Sequence, residues 1–468
     1  MPTPRILPHI FRAYDIRGKA LTELTPETCY DVGRAFGTVL WERYGSGNES
    51  YHPSVVVGRD ARTHGPTLER EVVRGLMDAG CEVLCIGQTP SPVNYFTLNA
   101  CGYDGSIQVT ASHNPKEDNG LKLQLRQAHS FSGDDLTQLR ERIERGNMRT
   151  AKGSERMIDA VTPYAEALTS LASGAGEGLT IVVDAGNGVA GPVYVDVLRR
   201  AGCSVVELYT QPDGTFPNHP ADPSKWDTLI ELQASVVREH AACGFAFDGD
   251  GDRLGLVDEQ GAIVTADQTL LLLARDHLTR NPGAPIIFTV SNSGLLQSEV
   301  AKWGGKPVLS KVGHSFVEHA MREHGAMLGG EQSGHFFCGE DYYPFDDALA
   351  ASLLLLKVLK SDSEARISDL VASLPRVYQM PEWRPHCPDE RKADVISRVT
   401  QHFRLSHPVN TLDGVRIDFG RDAWAGIRQS NTSPCLSVCI EARSPEHLAE
   451  VQEEVMRHMQ SYPELSAQ

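Results

Sequence analysis

The sequence lacks most of the marks that would place it in a specialised class. Its ten cysteines include no CxxC pair, and Cys81/Cys85 and Cys435/Cys439 each stand four apart. In a chain of 468 residues that pattern excludes a disulfide framework and a zinc ribbon, and it points to buried thiols in a reducing cytosol. Basic residues are in deficit, with 44 Lys and Arg against 61 Asp and Glu and a formal charge of −17. That balance argues against a nucleic-acid partner, which a basic face would attract. It does not exclude a small anionic substrate, because a few arginines and lysines can dominate a cleft. Long apolar runs are missing too. The longest, around residues 349–359, contains Ser352 and Lys357 and is too short to span a bilayer. No charged-then-apolar leader opens the chain. A soluble, cytoplasmic protein without a membrane partner is expected.

What is present is ordinary in composition, with 41% hydrophobic and 22% charged residues. The length suggests about three domains. A pattern recurs along the chain. SVVVGRDAR (54–62) leads to GLMDAGCEVLCIG (75–87), LTIVVDAGNG (179–188) to VDVLRRAGCSVVELY (195–209), and PIIFTVSNSG (285–294) to EVAKWGGKPVLSK (299–311). Each is a β-branched run, a Gly- or Ser-bearing turn, a helix, a glycine at the helix end and a second β-branched run. Gly80, Gly202 and Gly305 stand where a left-handed C-terminal cap belongs. Strands joined through a helix imply βαβ units, so three related α/β domains with mixed sheets are expected. The tail breaks this rhythm. GVRIDFG, WAGIRQS and LSVCIEA read as successive strands before the Glu-rich helix EHLAEVQEEVMRHM, which makes a smaller α+β domain beyond a hinge near 373–380. The expected boundaries are 1–155, 156–257, 258–371 and 372–468.

The most informative stretch is GFAFDGDGDRLGLVDEQG (244–261). Asp248, Asp250 and Asp252 alternate with glycines just after a strand. In extended backbone such residues point the same way, and glycine lets the chain bend until three carboxylates converge. Three like charges so placed repel one another unless a cation lies between them. An all-oxygen donor set suits a hard cation, Mg²⁺ or Ca²⁺. The alternative, a solvated acidic turn, fits poorly with the apolar flanks FAF and LGLV. An EF-hand would place Glu259 at its twelfth position, but Arg253 occupies the sixth, where that loop needs glycine, and the flanks read as strands. Mg²⁺ held by three carboxylates keeps open positions for a phosphate oxygen, and Arg253 would supply a second phosphate contact.

A second stretch, GSIQVTASHNPKEDNGLKL (105–123), delivers Ser112 into a polar turn between two apolar runs. Three readings compete there. A plain hairpin explains Asn114-Pro115 and Asn119-Gly120 as turn chemistry. A hydrolase nucleophile would need His113 as its base, but adjacent residues in extended backbone face opposite ways, and no G-x-S-x-G elbow surrounds the serine. A phosphoserine would complete the cation site with its own oxygens.

TASHNP around Ser112, DGDGDR at 248–253, GEQSGH at 330–335 and RQSNTSP at 428–434 together resemble the four signatures of the α-D-phosphohexomutase superfamily, in order and along the whole chain. The opening IFRAYDIRG (10–18) and the YYPFDDAL stretch (342–349) resemble its phosphomannomutase/phosphoglucomutase branch. The resemblance implies three topologically similar α/β domains and a smaller C-terminal domain around a central cleft. It also implies a phosphorylated Ser112, which with Asp248, Asp250 and Asp252 would bind one Mg²⁺ per chain. Lys122 and His335 become candidates for acid/base work; read alone, they would be an exposed strand lysine and a turn histidine. Glu331 and Ser333 become sugar-hydroxyl ligands, with His314 in SKVGHSF as a further candidate. Arg428, Ser430, Asn431 and Thr432 form a cluster of donors suited to an anion, and the resemblance gives them the substrate's distal phosphate. Tyr14 and Arg17 match residues lining the cleft. In one departure, Val290, Ser291 and Asn292 stand where some members have a lysine.

The implied activity interconverts hexose 1-phosphates and hexose 6-phosphates of mannose or glucose, with glucose 1,6-bisphosphate as intermediate and activator, in a monomer or weak dimer. A phosphoglucosamine mutase, toward which Gln332 leans, is the nearest competitor. A Mg²⁺-dependent phosphatase would share the acidic loop without needing the sugar and distal-phosphate clusters. A non-catalytic Ca²⁺-binding protein would need only the acidic loop.

Overall fold

The structure is a computed structural model that describes residues 6–45, 47–48, 50–361, 365–430 and 434–466. The chain forms two compact units, one of Met1–Leu273 with Ser333–Asp369 and the other of Ala274–Gln332 with Leu370–Gln468. Residues 258–371, read above as one segment, contribute to both.

The first unit holds two mixed sheets. One contains β1 (Ile16–Lys19), β2 (Ser54–Arg59), β3 (Glu82–Gln88), β4 (Gly105–Val109), β5 (Asp118–Leu125), β6 (His129–Ser130) and β7 (Ser154–Met157), in the order β1-β5-β4-β2-β3-β7 with β6 on β5. The other contains β8 (Thr180–Asp184), β9 (Ser204–Leu208), β10 (Cys243–Phe247), β11 (Leu254–Asp258) and β12 (Ile263–Val264), in the order β12-β11-β10-β8-β9. The repeat read from sequence is a repeat of topology. Strand β2 lies between parallel β3 and β4, and β4 turns back as antiparallel β5. Strand β8 likewise lies between parallel β9 and β10, and β10 turns back as antiparallel β11. The candidate serine and the acidic loop thus occupy the same turn in two copies of one fold.

In the second unit, β13 (Pro285–Thr289) lies between parallel β14 (Lys306–Ser310) and β15 (Leu328–Gly330), as the first three strands of each earlier copy do. From β15 the chain runs through 331–335 back into the first unit, to β16 (Phe336–Cys338). The tail is an antiparallel sheet of β17 (Tyr378–Gln379), β18 (Val409–Asn410), β19 (Val415–Gly420), β20 (Ala423–Gln429) and β21 (Leu436–Ala442), ordered β17-β21-β20-β19-β18. Its apolar face packs on the helices Asp389–Phe403 and Pro445–Met459 through Val395, Val399, Val451 and Val455. Part of the expected hinge, at 378–379, is a strand of this sheet.

The βαβ helices end as expected in two copies and one residue earlier in the third. Gly80 and Gly202 have positive φ, but the third left-handed residue is Gly304, not Gly305. The hydrogen bonds explain the shift. Cys81 donates to Leu76, Cys203 to Leu198 and Gly305 to Val300, so Gly305 matches the two cysteines and Gly304 the capping glycines. Among the described residues no helix is long and apolar enough to cross a membrane.

Strand β2 is a continuous β-branched run because both its faces are covered. Val55 and Val57 meet Phe36, Leu40, Val72 and Leu76 of the helices Pro26–Tyr44 and Gly65–Asp78, which cross at backbone contact. A Cβ on Gly75 would lie 2.1 Å from the Tyr30 carbonyl oxygen. Alanine favours a helix over glycine by about 1 kcal/mol, whereas overpacking costs typically about 1–3 kcal/mol; at that distance the clash wins. Gly75→Ala is therefore expected to lower the urea midpoint of unfolding. An unchanged or raised midpoint would mean that the two helices re-space freely.

Candidate active site

In the first unit the β4–β5 turn and the β10–β11 loop meet. Asp248, Asp250 and Asp252 are fully buried, and one carboxylate oxygen from each lies within 4.8 Å of the other two. Gly251, at φ +77°, makes the bend, and its carbonyl accepts a 2.5 Å hydrogen bond from the Tyr194 hydroxyl. Ser91 fixes the preceding residue by donating Oγ to Asp250 Oδ2 at 2.6 Å and its amide to the Asp250 carbonyl at 2.8 Å. Asp248 Oδ1 accepts the amides of Asp252 and Arg253.

Ser112 is 1% exposed and donates Oγ to Asp248 Oδ2 at 2.5 Å. It also corrects the sequence reading. The backbone at Ser112 is left-handed, φ +51°, so the alternation of extended chain does not hold, and His113 Nδ1 lies 3.1 Å from Ser112 Oγ. The contact does not make a nucleophile–base pair. The single hydroxyl hydrogen goes to Asp248, so His113 can meet Oγ only as a donor. Its pKa is pushed well below the usual histidine value by the protein packed around it and by the Arg253 and Arg17 guanidinium groups.

Lys122 is not an exposed strand lysine. At 3% exposure, it places Nζ 2.7 Å from Asp250 Oδ2 and in contact with Asp252 Oδ2. Burial alone would lower its pKa, but Asp250 and Asp252 raise it well above the ordinary lysine value. Burial also tends to raise the pKa of Asp250 and Asp252, and Lys122 overrides this to hold both below the usual carboxylate range. Asp248, further from that ammonium, is pushed well up by burial and by Asp252 and Asp250. Asp250 Oδ1 and Asp252 Oδ1 are buried without a hydrogen-bond partner. Two orphaned oxygens in an all-carboxylate cluster are the donor set of a hard divalent cation, so the residues fit one.

Arg253 donates Nε to His335 Nε2 at 3.0 Å. That bond leaves the ring proton on Nδ1, which stands 2.8 Å from Asp346 Oδ2 and 3.7 Å from Asp252 Oδ1. Arg17 is buried beside the serine turn, with Nε on Asp15 and Nη1 on the Ala111 carbonyl and Asn114 Oδ1. Tyr14 and Ser333 are partly exposed.

The remaining candidates lie in the second unit. His314 is buried at the start of the helix His314–His324, and Glu331 accepts the Gly313 amide at 2.8 Å. Arg428, on β20, donates Nε to Ser291 Oγ at 3.1 Å. The Ser430 hydroxyl accepts from Arg384 at 3.2 Å and its carbonyl from Lys392 at 3.0 Å. Arg416 Nη1 holds the Val290 and Asn292 carbonyls. Asn431 and Thr432 lie outside the described residues. Sequence reasoning missed Ser91, Tyr194, Asp346, Arg384 and Lys392. Of these only Asp346, half of an acidic pair closing an aromatic run, carried a local signal.

Comparison with known proteins bears on the whole chain. Residues 8–150, 162–261, 265–378 and 366–458 match, in turn, the phosphoglucomutase/phosphomannomutase alpha/beta/alpha domains I, II and III and C-terminal domain. A phosphomannomutase/phosphoglucomutase of Pseudomonas aeruginosa is 39% identical over 450 residues, 96% of this chain and 95% of that one. A phosphoglucomutase of Neisseria gonorrhoeae is 35% identical over 97% of this chain and 98% of its own. A probable phosphoglucosamine mutase of Methanopyrus kandleri is 33% identical over 95% of this chain and 96% of its own. The crystal structure of a phosphoglucomutase/phosphomannomutase family protein from Burkholderia thailandensis superposes with a TM-score of 0.89 at 37% identity, covering 97% of each chain.

The cluster's electrostatics can be tested without any substrate. Burial and like charge raise the Asp248 pKa, so a cation competes with a proton there, and Mg²⁺ binding is expected to release protons as it displaces them and to weaken as pH falls. Calorimetry in two buffers of different ionisation enthalpy reads the proton release. Asp250→Asn removes one charge at nearly constant shape, so the protein is expected to stay folded and to lose the Mg²⁺-dependent rise in melting temperature. A rise of wild-type size in the variant would show that the loop is not a cation site.

Proposed function

Because the chain belongs to the phosphoglucomutase/phosphomannomutase family, we propose that it interconverts hexose 1-phosphates and hexose 6-phosphates of mannose and glucose through a phosphorylated Ser112. The observation that carries the reading is the contact between the Ser112 hydroxyl and Asp248 inside a buried three-carboxylate cluster with two unsatisfied oxygens. A hydroxyl so placed becomes, once phosphorylated, an anion at the mouth of a cation site. Asp248, Asp250 and Asp252 would hold Mg²⁺, whose charge stabilises the transferring phosphoryl group.

In the forward step the phosphoryl group leaves Ser112 Oγ for a free hydroxyl of a hexose monophosphate. The P–Oγ bond breaks, a P–O bond to the sugar forms, and the sugar hydroxyl gives up its proton. Lys122, held protonated by two carboxylates, is the cation and proton donor at the departing Oγ. His335, oriented by Asp346 through Nδ1, presents Nε2 as acceptor when Arg253 turns to the phosphoryl oxygens. The resulting 1,6-bisphosphate returns its other phosphate to Ser112. Glu331, Ser333 and His314 are the proposed sugar ligands, with Tyr14 and Arg17 beside them. Arg428 and Ser430, with Asn431 and Thr432, are the proposed ligands of the phosphate that is not transferring, and Lys392 and Arg384 add positive charge at Ser430. Identity to the Pseudomonas enzyme, 39%, exceeds the 33% to the Methanopyrus protein and supports mannose and glucose over glucosamine.

The direct test incubates purified protein with labelled glucose 1,6-bisphosphate and Mg²⁺, locates the label by peptide mass spectrometry, and assays glucose, mannose and glucosamine 1-phosphates. Label on Ser112 and isomerisation of the first two sugars are expected. Label only elsewhere, or free phosphate as the main product, overturns the mechanism. A charged hydrogen bond contributes about 1.5–3 kcal/mol, so Arg428→Ala is expected to lower kcat/KM roughly 10- to 150-fold, largely through weaker binding. It should also release more free bisphosphate, because the contact is made once at each end of the intermediate. An unchanged KM with no extra released intermediate would reduce Arg428 to a surface residue.

A further inference from the structure

The serine turn rests on a residue that the proposed mechanism does not use. Arg62 is among the largest side chains the fold buries completely, and it lies beneath residues 112–118. A guanidinium group has five N–H donors, and all five are engaged. Nε donates to Asp60 Oδ2 at 3.0 Å. Nη1 donates to the carbonyls of Pro115 at 2.6 Å and Asp118 at 2.9 Å. Nη2 donates to the carbonyls of Ser112 at 2.8 Å and Asn114 at 2.7 Å. Asp60 is fixed in turn by the Arg62 amide and by the Thr110 hydroxyl, whose oxygen accepts the Ser112 amide at 2.8 Å. The phenyl ring of Phe216 closes the far side, its centroid 5.4 Å from the guanidinium carbon.

A hairpin needs none of this. Lys116 and Glu117 at its tip are exposed, so water could satisfy the turn carbonyls, whereas burying a guanidinium beneath them carries a desolvation penalty that Asp60 must offset. What the arrangement secures is geometry. Ser112 sits in left-handed backbone that a serine seldom adopts, and that backbone aims Oγ at Asp248. The same bonds engage four carbonyl oxygens that would otherwise be free to face an incoming anion. We infer that Arg62 is a positioning residue which holds the 112–118 turn so that Ser112 Oγ stays on the acidic cluster, and which thereby sets the rate of phosphoryl transfer to and from Ser112. The inference rests on the proposed role of Ser112.

The test uses the full-length protein with Mg²⁺ and compares wild type with Arg62→Lys, Arg62→Ala and Thr110→Val. The readouts are the rate at which glucose 1,6-bisphosphate phosphorylates Ser112, and kcat and KM for glucose 1-phosphate. A lysine keeps the charge but has only three donors and no planar fork. Misplacement of a reacting atom by about 1 Å costs on the order of 100-fold, so Arg62→Lys is expected to slow Ser112 phosphorylation and kcat by about that factor and to leave KM nearly unchanged. Arg62→Ala is expected to regain activity with millimolar guanidinium and not with methylammonium. Wild-type protein that takes no label on Ser112 overturns the proposed function and this inference with it. Labelled wild type beside an equally fast Arg62→Lys, or a loss confined to KM, overturns this inference alone. Should neither Arg62 variant fold by circular dichroism, Thr110→Val decides. It cuts both the Asp60 and Ser112 bonds at nearly constant shape, and phosphorylation at the wild-type rate would overturn the inference.

Discussion

Three ionised carboxylates gathered out of water repel one another, and the rest of the site follows from how that repulsion is met. At the separations in the Asp248–Asp250–Asp252 cluster each pair of charges repels by roughly 3–4 kcal/mol at an effective dielectric constant of about 20. Three such pairs rival the whole stability of a domain, about 5–15 kcal/mol. Lys122 from the neighbouring sheet, and Arg253 from the loop itself, bring in the positive charge. Ser91, Tyr194 and the backbone amides of 252 and 253 hold the loop so that the carboxylates cannot swing apart. Two of their oxygens still lack a hydrogen-bond partner. The fold therefore keeps a concentrated negative field in place without fully neutralising it.

The repeated topology brings the parts together. Each α/β copy carries a turn after the strand that lies beside its central strand. The first copy's turn carries Ser112, and the second carries the three aspartates. After the third copy's corresponding strand comes the 331–335 loop, which ends at His335 on Arg253. One backbone feature thus carries the serine, the three aspartates and the histidine in turn, and the copies differ in the residues mounted on it.

Much of this was legible in the sequence because it is local. The strand–helix–strand rhythm, the alternating aspartates and the serine turn are patterns within some twenty residues, and they led to the observed sheets and to two loops that the fold brings together. What failed, failed where local rules were overruled. Alternation of extended backbone placed His113 away from Ser112, but a left-handed φ at the serine brings the two together. Without the family resemblance Lys122 reads as an exposed strand lysine, because nothing in the β5 sequence shows that its side chain meets another sheet. A pair of glycines, Gly304 and Gly305, hid which of them caps the helix. Arg62 and Tyr194 carried no signal, since each acts on backbone atoms of a segment distant in sequence. An unusual backbone angle and a partner supplied by tertiary contact are what a sequence does not write down.

The charge carried by the buried cluster has a thermodynamic corollary. Three aspartates, Lys122 and Arg253 together bear one formal negative charge. Converting the Ser112 hydroxyl to a phosphate monoester adds close to two more, and a divalent cation removes two. Loaded together, the ester and the cation leave the interior as charged as it was empty; either alone changes it by nearly two units in a place where water cannot screen the difference. The two occupancies would therefore be coupled, and by linkage the coupling is reciprocal: an esterified protein would hold a cation more tightly by the same factor by which the cation would stabilise the ester. A centre loaded in that way would behave as an electroneutral pair exchange, stable when full or empty and disfavoured when half-filled.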